Sequence, residues 1–281
     1  MKLLLIGAQG QVGWELARRL PALGTVTATD RTTLDLTDPD AIRRVVREAR
    51  PELIVNAAAY TAVDKAESEP AVATQINGDA PGVLAEEAKR SGALLVHYST
   101  DYVFDGEKQG AYVETDTPNP VSAYGRSKLA GERAVMASGC RHLIFRTCWV
   151  YGPRGRNFLL TILKAARERP ELKVVNDQFG APTSSGAIAE ATVRAIAANR
   201  GDGIYHMSAG GRTTWHGFAQ AIVEAAGLKT PVLPIPTSGY PTPARRPRNS
   251  ILDNSRLKND FGIEVPDWRD GLREVLGQVL R

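Results

Sequence analysis

Cysteine is scarce in this sequence, and its scarcity excludes one class of protein. Only two cysteines, Cys140 and Cys148, occur among 281 residues, whereas small secreted scaffolds depend on several disulfides. We therefore expect a chain that folds without disulfides in a reducing cytoplasm. The remaining composition, 43% hydrophobic and 23% charged, is ordinary for a globular enzyme of a length that can bury a substantial core.

Long apolar runs and blocks of like charge are also missing. No segment approaches the roughly 18 apolar residues of a membrane span. The opening MKLLLIGAQG has an apolar run of about five residues, shorter than a signal peptide requires, and it ends at glycines; it predicts a first buried strand. The net charge of +4 comes from 35 basic and 31 acidic residues. Because the basic residues are dispersed, we predict neither a nucleic-acid nor a membrane partner.

The first half of the chain alternates short apolar runs with amphipathic segments. Strands that are apolar on both faces and separated by helices predict a parallel sheet covered on both sides, so the fold class is α/β, a doubly wound parallel sheet of the Rossmann type. The predicted strands are Lys2–Ile6, Thr25–Thr29, Leu53–Ala58, Ala93–Ser99 and His142–Val150, and the predicted helices are Val12–Leu20, Asp40–Ala49, Ala71–Ser91 and Val121–Ser138, the third irregular near Pro81.

After Tyr151 the alternation is less regular. The segment from Leu233 to Pro247 is rich in proline and predicts a loop. We expect a smaller, irregular second part over residues 151–281, with a segment near 174–206 returning to the first part, residues 1–150. The elements predicted in this half are the helices Phe158–Arg169, Ser185–Asn199 and Gly217–Ala226 and the strands Leu172–Val175 and Gly203–Met207.

A glycine-rich loop joins the first strand to the first helix. Gly7, Gly10 and Gly13 are spaced three and three apart in the segment GAQGQVG, which also contains Gln9, Gln11 and Val12. Glycine permits the tight turn and lets the backbone approach a pyrophosphate, while the helix start offers free N–H groups. A glycine triplet alone is a weak signal, but between a strand and a helix it indicates a dinucleotide site, here for NADPH or NADH.

The residues that would select between the two cofactors lie about 20 residues further on. Asp30 could accept hydrogen bonds from a ribose 2′-hydroxyl and so favour NADH, whereas the adjacent Arg31 could pair with the 2′-phosphate of NADPH. The sequence leaves this choice open. Two further contacts are expected along the same cofactor: Asp35 and Leu36 near the adenine, and the small residues Ala57 and Ala58 beside the dinucleotide backbone.

Tyr124 and Lys128 are candidates for acid catalysis. On a helix they would project from one face, and a lysine charge together with an oxidised nicotinamide is expected to favour the phenolate and lower the tyrosine pKa. Tyr124 could then donate a proton to a carbonyl oxygen. Alone, such a pair is common on helix surfaces. Thr100, at the end of a strand, adds a hydroxyl at the carboxyl edge of the sheet, where doubly wound folds bind ligands; a capping role is its alternative.

The glycine loop, Thr100 and the Tyr-x-x-x-Lys pair, in this order, resemble the extended short-chain dehydrogenase/reductase family. The resemblance covers the whole chain. It is also more specific than this large family, since several long segments look like dTDP-4-dehydrorhamnose reductases. They are GAQGQVGWE from Gly7, NAAAYTAVDKAESEP from Asn56, HYSTDYVF from His97, YGRSKLAGE from Tyr124, FRTCWVY from Phe145, NDQFGAPT from Asn176 and YPTPARRPRNS from Tyr240.

The resemblance implies reduction of the C4 keto group of dTDP-6-deoxy-L-lyxo-4-hexulose (dTDP-4-dehydro-L-rhamnose) to dTDP-L-rhamnose. It implies that Tyr124 is the proton donor, that Lys128 holds the nicotinamide ribose and tunes Tyr124, and that Thr100 polarises the carbonyl. Residues 1–150 would bind the dinucleotide, and residues 151–281 would mostly bind substrate. The expected substrate contacts are Thr100, Asp101, Tyr102, Trp149 and, for the diphosphate, Arg246.

The resemblance also leaves alternatives. Some relatives are magnesium-linked dimers, so a homodimer is a candidate assembly and Glu15 a candidate ligand, although the chemistry needs no metal. Another nucleotide-sugar reductase or an epimerase of the extended family is the second enzymatic reading. A non-catalytic, dinucleotide-binding regulatory subunit is the third, and the presence of both Tyr124 and Lys128 argues against it.

Overall fold

The computed structural model describes residues 1–280. Its elements in chain order are β1 (Lys2–Ile6), α1 (Gln11–Arg19), β2 (Thr25–Thr29), α2 (Pro39–Ala49), β3 (Leu53–Asn56), α3 (Val63–Ala66), α4 (Pro70–Thr74), α5 (Ala80–Ser91), β4 (Leu94–Thr100), α6 (Ala123–Ser138), β5 (His142–Thr147), β6 (Val150–Tyr151), α7 (Phe158–Glu168), β7 (Leu172–Val175), β8 (Phe179–Gly180), β9 (Thr183–Ser184), α8 (Ser185–Ala197), β10 (Gly203–His206), β11 (Thr213–Thr214), α9 (Trp215–Ala225), β12 (Val232–Ile235), α10 (Ser255–Phe261) and α11 (Trp268–Val279).

A six-stranded parallel sheet organises the chain, which confirms the predicted α/β class. Its strand order is β10-β5-β4-β3-β1-β2. β2 and β3 lie on opposite sides of β1, so the order reverses there and opens a crevice at the carboxyl ends of the strands. β10, from the second half of the chain, pairs with β5 in parallel register. Residues of these strands are buried in clusters on both faces of the sheet, as a sheet covered on both sides requires.

Two predicted strands are shorter than expected, for identifiable reasons. β3 ends at Asn56 instead of Ala58, because the Asn56 side chain accepts a hydrogen bond from the Ala58 N–H (3.2 Å) and turns the chain. β5 ends at Thr147 instead of Val150, because Trp149 has a φ of +47°, which interrupts the extended conformation.

The predicted helix Ala71–Ser91 is also interrupted. It consists of α4, a π-helical turn over Gln75–Asp79, and α5. The irregularity thus precedes Pro81, which occupies the first turn of α5, where its missing N–H is tolerated.

The proline-rich segment was predicted as loop throughout, and this is wrong for its start. β12 pairs in parallel with β7 in a two-stranded sheet, and an edge strand of this kind tolerates Pro234. α10 and α11 were not predicted. Within residues 1–280, no helix is both long and apolar enough to cross a membrane.

A buried ion pair fastens α6 to the sheet. The guanidinium of Arg146 on β5 donates from Nε and Nη2 to the two carboxylate oxygens of Glu132 on α6, at 2.8 and 2.6 Å. The side chains are 2% and 0% exposed, and the guanidinium also lies over the ring of Phe104, 5.0 Å from its centre. Because isolated buried charges are costly, each member of the pair depends on the other.

Arg146→Met should therefore destabilise the fold by about 3–5 kcal/mol, because it strands the Glu132 carboxylate in the interior. The double variant Arg146→Met/Glu132→Leu removes both charges and should recover most of this loss. Urea unfolding monitored by circular dichroism measures both. Equal stability of the single and double variants would contradict this account.

Candidate active site

The candidate site lies at the carboxyl edge of the central sheet. The glycine loop follows β1, Asp30 follows β2, Ala57 and Ala58 follow β3, and Thr100 ends β4. Because parallel strands end at the same edge, these segments border one crevice beside the reversal of strand order. Tyr124 and Lys128 reach it from the first turns of α6, which begins at Ala123.

The glycine loop is shaped by close backbone approaches. Gly7 has a φ of +85°, and a Cβ there would lie 2.7 Å from the Ala58 nitrogen; at Gly13 it would lie 2.0 Å from the Gly7 oxygen. The N–H groups of Gly7 and Ala8 both donate to Thr29 O, at 2.9 and 3.0 Å, which ties the loop to the end of β2. Only glycine fits these two positions without displacing backbone.

The start of α1 leaves backbone donors available to a ligand. α1 begins at Gln11 after Gly10, and no side chain caps it, so N–H groups of its first turn face the crevice edge unpaired within the helix. Val12 lies in this first turn and Gln9 in the loop before it, and the Gln11 side chain accepts from Asn157 at 2.9 Å. Such a loop can accommodate the pyrophosphate of a dinucleotide, and the binding of one there stays a prediction.

Asp30 is held in place by its own turn. Its Oδ1 accepts from the N–H and hydroxyl of Thr32, at 2.9 and 2.6 Å, and these bonds lower the pKa of the Asp30 carboxyl, so the side chain is a carboxylate. The neighbouring Arg31 is exposed. Asp35 is bonded in the same way to Thr37 at 2.8 Å, and Leu36 follows it. Neither a 2′-hydroxyl nor a 2′-phosphate is excluded by this arrangement.

The structure brings the three predicted catalytic residues together. Ser122 caps α6 by accepting from the Gly125 N–H at 3.1 Å, and Tyr124 and Lys128 follow one turn apart. Thr100 accepts from the Tyr102 N–H at 3.2 Å and donates to Asp101 Oδ1 at 3.0 Å. The Thr100 hydroxyl also acts on the Tyr124 phenol, whose pKa it lowers.

Burial dominates the electrostatics of the tyrosine. It raises the pKa of Tyr124, and the charge of Asp101 adds to the effect, while Thr100 opposes it. The expectation that Lys128 lowers this pKa is therefore not met, because desolvation of the phenolate and the charge of Asp101 set the direction of the shift, and the hydrogen bond that opposes them comes from Thr100. A phenol that stays protonated is the form that can donate a proton.

Lys128 and Asp101 are also shifted toward their neutral forms. Burial lowers the pKa of Lys128 to about 8, although the Glu132 charge opposes the shift. Burial raises the pKa of Asp101 to about 6 against hydrogen bonds from Ser250 and Thr100. Near pH 7 Lys128 is thus mostly an ammonium and can change its charge within a moderate pH range.

Of the predicted aromatic substrate residues, Tyr102 packs against Tyr124 and Trp149 against another tryptophan. The Tyr102 ring meets the Tyr124 ring edge-on at 5.5 Å. Trp149 stacks on Trp215 with ring centres 3.6 Å apart, and its φ of +47° indicates a side chain held in place by its packing.

Arg246 is not a free cation. It forms a two-pronged ion pair with Asp64, at 3.1 and 2.9 Å, and so joins the proline-rich segment to α3. A cavity of about 380 Å³ adjoins it, lined by Asp177, Thr237, Ser238, Tyr240, Pro241, Thr242, Ala244, Arg245, Arg246 and Arg248.

Sequence reasoning missed the residues that support Tyr124 and Lys128. Asn77, in the π-helical turn, donates to Ser127 Oγ at 3.0 Å, and Ser127 donates to Tyr124 O at 2.7 Å. His97 Nε2 lies 3.4 Å from Lys128 Nζ. The contacts of Asn77 with Ser127 and of His97 with Lys128 join positions 50 and 31 residues apart, so local pattern carries no signal for them.

Glu15, the candidate magnesium ligand, pairs with Arg19 one turn later on α1. Within residues 1–280 no group of three or more His, Cys, Asp or Glu side chains is arranged to hold a metal ion.

Asp101→Asn should stabilise the protein at alkaline pH. Because the folded-state pKa of about 6 exceeds the ordinary 3.8, the folded chain binds this proton more tightly than the unfolded chain, and stability falls as pH rises through this window. We expect the variant to match the parent near pH 4 and to exceed it by about 1–3 kcal/mol at pH 8 in urea unfolding.

Asp116→Asn is the matched control, for which we expect the opposite change in stability at pH 8. Asp116 pairs with Lys108 at 2.5 Å, and its pKa is lowered by that lysine, so its substitution should cost stability at pH 8. A loss of stability at pH 8 in Asp101→Asn as well would show that burial of the Asp101 charge is not unfavourable.

Comparison with known proteins shows the family of this chain. Residues 1–281 match the family model described as RmlD substrate binding domain. A dTDP-4-dehydrorhamnose reductase of Burkholderia thailandensis is 54% identical, and the match covers 99% of this chain and 100% of that protein.

Solved structures agree with the sequence match. A dTDP-4-dehydrorhamnose reductase of Clostridium acetobutylicum superposes with a TM-score of 0.96 at 38% identity, with all of both chains covered. One of Bacillus anthracis, solved in complex with NADP, has a TM-score of 0.95 at 37% identity and covers 99% of this chain and 100% of its own. The chain therefore belongs to the dTDP-4-dehydrorhamnose reductase family, a family of oxidoreductases on the extended short-chain dehydrogenase/reductase fold.

Proposed function

We propose that this chain reduces the C4 keto group of dTDP-6-deoxy-L-lyxo-4-hexulose (dTDP-4-dehydro-L-rhamnose), using NADPH or NADH, and releases dTDP-L-rhamnose. The observation that carries the proposal is the meeting of Thr100, Tyr124 and Lys128 at the edge of the sheet that also holds the glycine loop. Family membership supplies the substrate class, because the relatives that match over nearly the full length are reductases of this sugar nucleotide by name.

The cofactor would be held by residues at the end of each of the first three strands. Gly7, Gly10 and Gly13, with the backbone of Gln9, Gln11 and Val12, would bind the pyrophosphate. Asp30 or Arg31 would meet the adenosine ribose, Asp35 and Leu36 the adenine, and Ala57 and Ala58 the dinucleotide backbone. When bound, the reduced nicotinamide supplies the hydride. The NADP-bound relative from Bacillus anthracis supports this class of cofactor.

The chain's own side chains then handle the proton. The Thr100 hydroxyl turns its hydrogen from Asp101 Oδ1 to the C4 oxygen and orients that oxygen. Tyr124, kept protonated by burial, donates its phenolic proton to that oxygen as negative charge develops there. The Lys128 ammonium holds the nicotinamide ribose and stabilises the phenolate left behind, because opposite charges interact strongly in a site with little water.

The substrate would extend from this centre toward the second half of the chain. Asp101, Tyr102 and Trp149 would contact the sugar. Arg246 is oriented by its ion pair with Asp64 and would face the diphosphate. The diphosphate carries two negative charges, whereas the Asp64 carboxylate carries one, so it would attract the guanidinium strongly. Accordingly, we assign dinucleotide binding to residues 1–150 with the returning segment near 174–206, and substrate binding mostly to residues 151–281. We extend the proposal to a homodimer in the cytoplasm.

Turnover with the 4-keto sugar nucleotide tests the function directly. With substrate in excess, we expect absorbance at the nicotinamide wavelength to fall stoichiometrically with product, and parallel assays with NADH and NADPH to rank the two cofactors. An epimerase would instead retain cofactor through purification and consume none. Absence of oxidation with either cofactor would overturn the proposal.

Tyr124→Phe should lower kcat by about 10²–10⁴-fold, because a positioned general acid contributes an effect of that size. Cofactor affinity, measured by fluorescence titration, should change little. The matched control is Tyr151→Phe, which removes a buried hydroxyl that has no hydrogen-bond partner within residues 1–280 and should retain activity. Parental kcat in Tyr124→Phe would refute the assignment of the acid.

A further inference from the structure

A line of buried polar groups connects Lys128 to the glycine loop. Lys128 Nζ lies 3.4 Å from His97 Nε2, His97 Nδ1 lies 3.2 Å from Asn56 Nδ2, and Asn56 Oδ1 accepts from the Ala58 N–H at 3.2 Å. The three side chains are at most 2% exposed. Asn56 and His97 are direct neighbours in the parallel pairing of β3 with β4, so the sheet itself sets their contact.

Counting hydrogens along this line fixes the tautomer of His97. Because Asn56 Oδ1 accepts from Ala58, the Asn56 amide presents its NH₂ group to His97 Nδ1, which must be the acceptor. A neutral imidazole carries a single N–H, and it is then on Nε2, facing Lys128. This arrangement suits a neutral lysine amine, which accepts that hydrogen, and opposes an ammonium, which would meet it donor to donor.

An ammonium at Lys128 requires the opposite arrangement. Lys128 then donates to His97 Nε2, and the imidazole hydrogen must sit on Nδ1. The acceptor within reach of Nδ1 is Asn56 Oδ1, which faces it after the amide turns over. That turn withdraws the acceptor from the Ala58 N–H. This N–H lies against Gly7, where a Cβ would come within 2.7 Å of its nitrogen.

The surrounding charges are few. On α6, Glu132 favours the Lys128 ammonium, but it is itself paired with Arg146 of β5. Asp101, after β4, acts on Tyr124. The residue opposite His97 on β5 is the apolar Ile144. Burial and the Lys128 charge lower the pKa of His97 well below its usual range, so the imidazole stays neutral and responds only by moving its hydrogen.

We propose that His97 is a positioning residue whose tautomer follows the charge of Lys128 and, through Asn56, frees the Ala58 N–H when Lys128 is an ammonium. Protonation of the lysine thereby prepares a backbone donor at the glycine loop. The part of this inference that concerns the dinucleotide rests on the proposed function; the tautomer switch itself does not. By linkage, a ligand that takes up the freed N–H favours the ammonium in return.

Nitrogen-15 NMR of the free protein tests the switch without cofactor or substrate. The chain has four histidines, and His97→Gln assigns the relevant signal by its loss. We expect the His97 signals to change from the Nδ1–H to the Nε2–H pattern between pH 6 and pH 9.5, with a midpoint near the Lys128 pKa of about 8 and with no imidazolium. A single tautomer over the whole range would overturn the proposal.

Two variants separate the switch from a merely structural role. In Lys128→Met we expect the Nε2–H pattern at every pH, because no ammonium is present to reverse it; a persisting transition would contradict the link to Lys128. In Asn56→Asp the carboxylate only accepts, so it should keep His97 as the Nδ1–H tautomer to a higher pH and raise the midpoint of the His97 transition by at least about one pH unit. An unchanged midpoint would refute the role of Asn56. Failure of turnover with intact NMR transitions would count against the proposed function alone.

Discussion

The pairing of buried charge on α6 is the constraint on which the rest of this structure depends. Glu132 and Lys128 lie one turn apart and are both excluded from water. Within residues 1–280, Glu132 is the one of the two with an ionic partner, the guanidinium of Arg146. Lys128 is left with a neutral imidazole at 3.4 Å. The fold thus neutralises the charge of Glu132 and leaves that of Lys128 without a counter-ion. An unpaired cation of this kind is suited to a residue that must bind a ligand.

The helix can lie so deep because small residues line the face it presents to its neighbours. A Cβ on Gly125 would come within 2.2 Å of Tyr102 O, and one on Gly131 within 2.1 Å of Asn77 O. These approaches bring Tyr124 against the segment that follows β4 and bring Ser127 within reach of Asn77. The π-helical turn that contains Asn77 therefore belongs to the site, in keeping with the tendency of such turns to occur at functional positions.

The local sequence pattern predicted the strands of the sheet and the residues at their ends, but not the contacts between distant segments. The period of the apolar residues gave the strands of the parallel sheet, and the ends of these strands located the glycine loop and Thr100 at one edge. The ion pair of Arg246 with Asp64 joins residues 182 positions apart, and no periodicity encodes such a contact. The same holds for His97 and Lys128, and for the short strand β12, which exists only because β7 lies beside it.

The pKa values of the site are shifted toward the neutral forms of its residues, and local sequence pattern could not predict this either. Burial favours the neutral forms of Tyr124, Asp101 and His97 alike, whereas Lys128 remains close to its point of half-protonation at mildly alkaline pH. Because Tyr124 and His97 stay neutral, the site holds few charges that could screen an arriving one. Charge that develops on a substrate oxygen there would interact strongly with Lys128, which is mostly an ammonium at neutral pH. The low polarity that keeps Tyr124 an acid is therefore the same property that makes a single ammonium effective beside it.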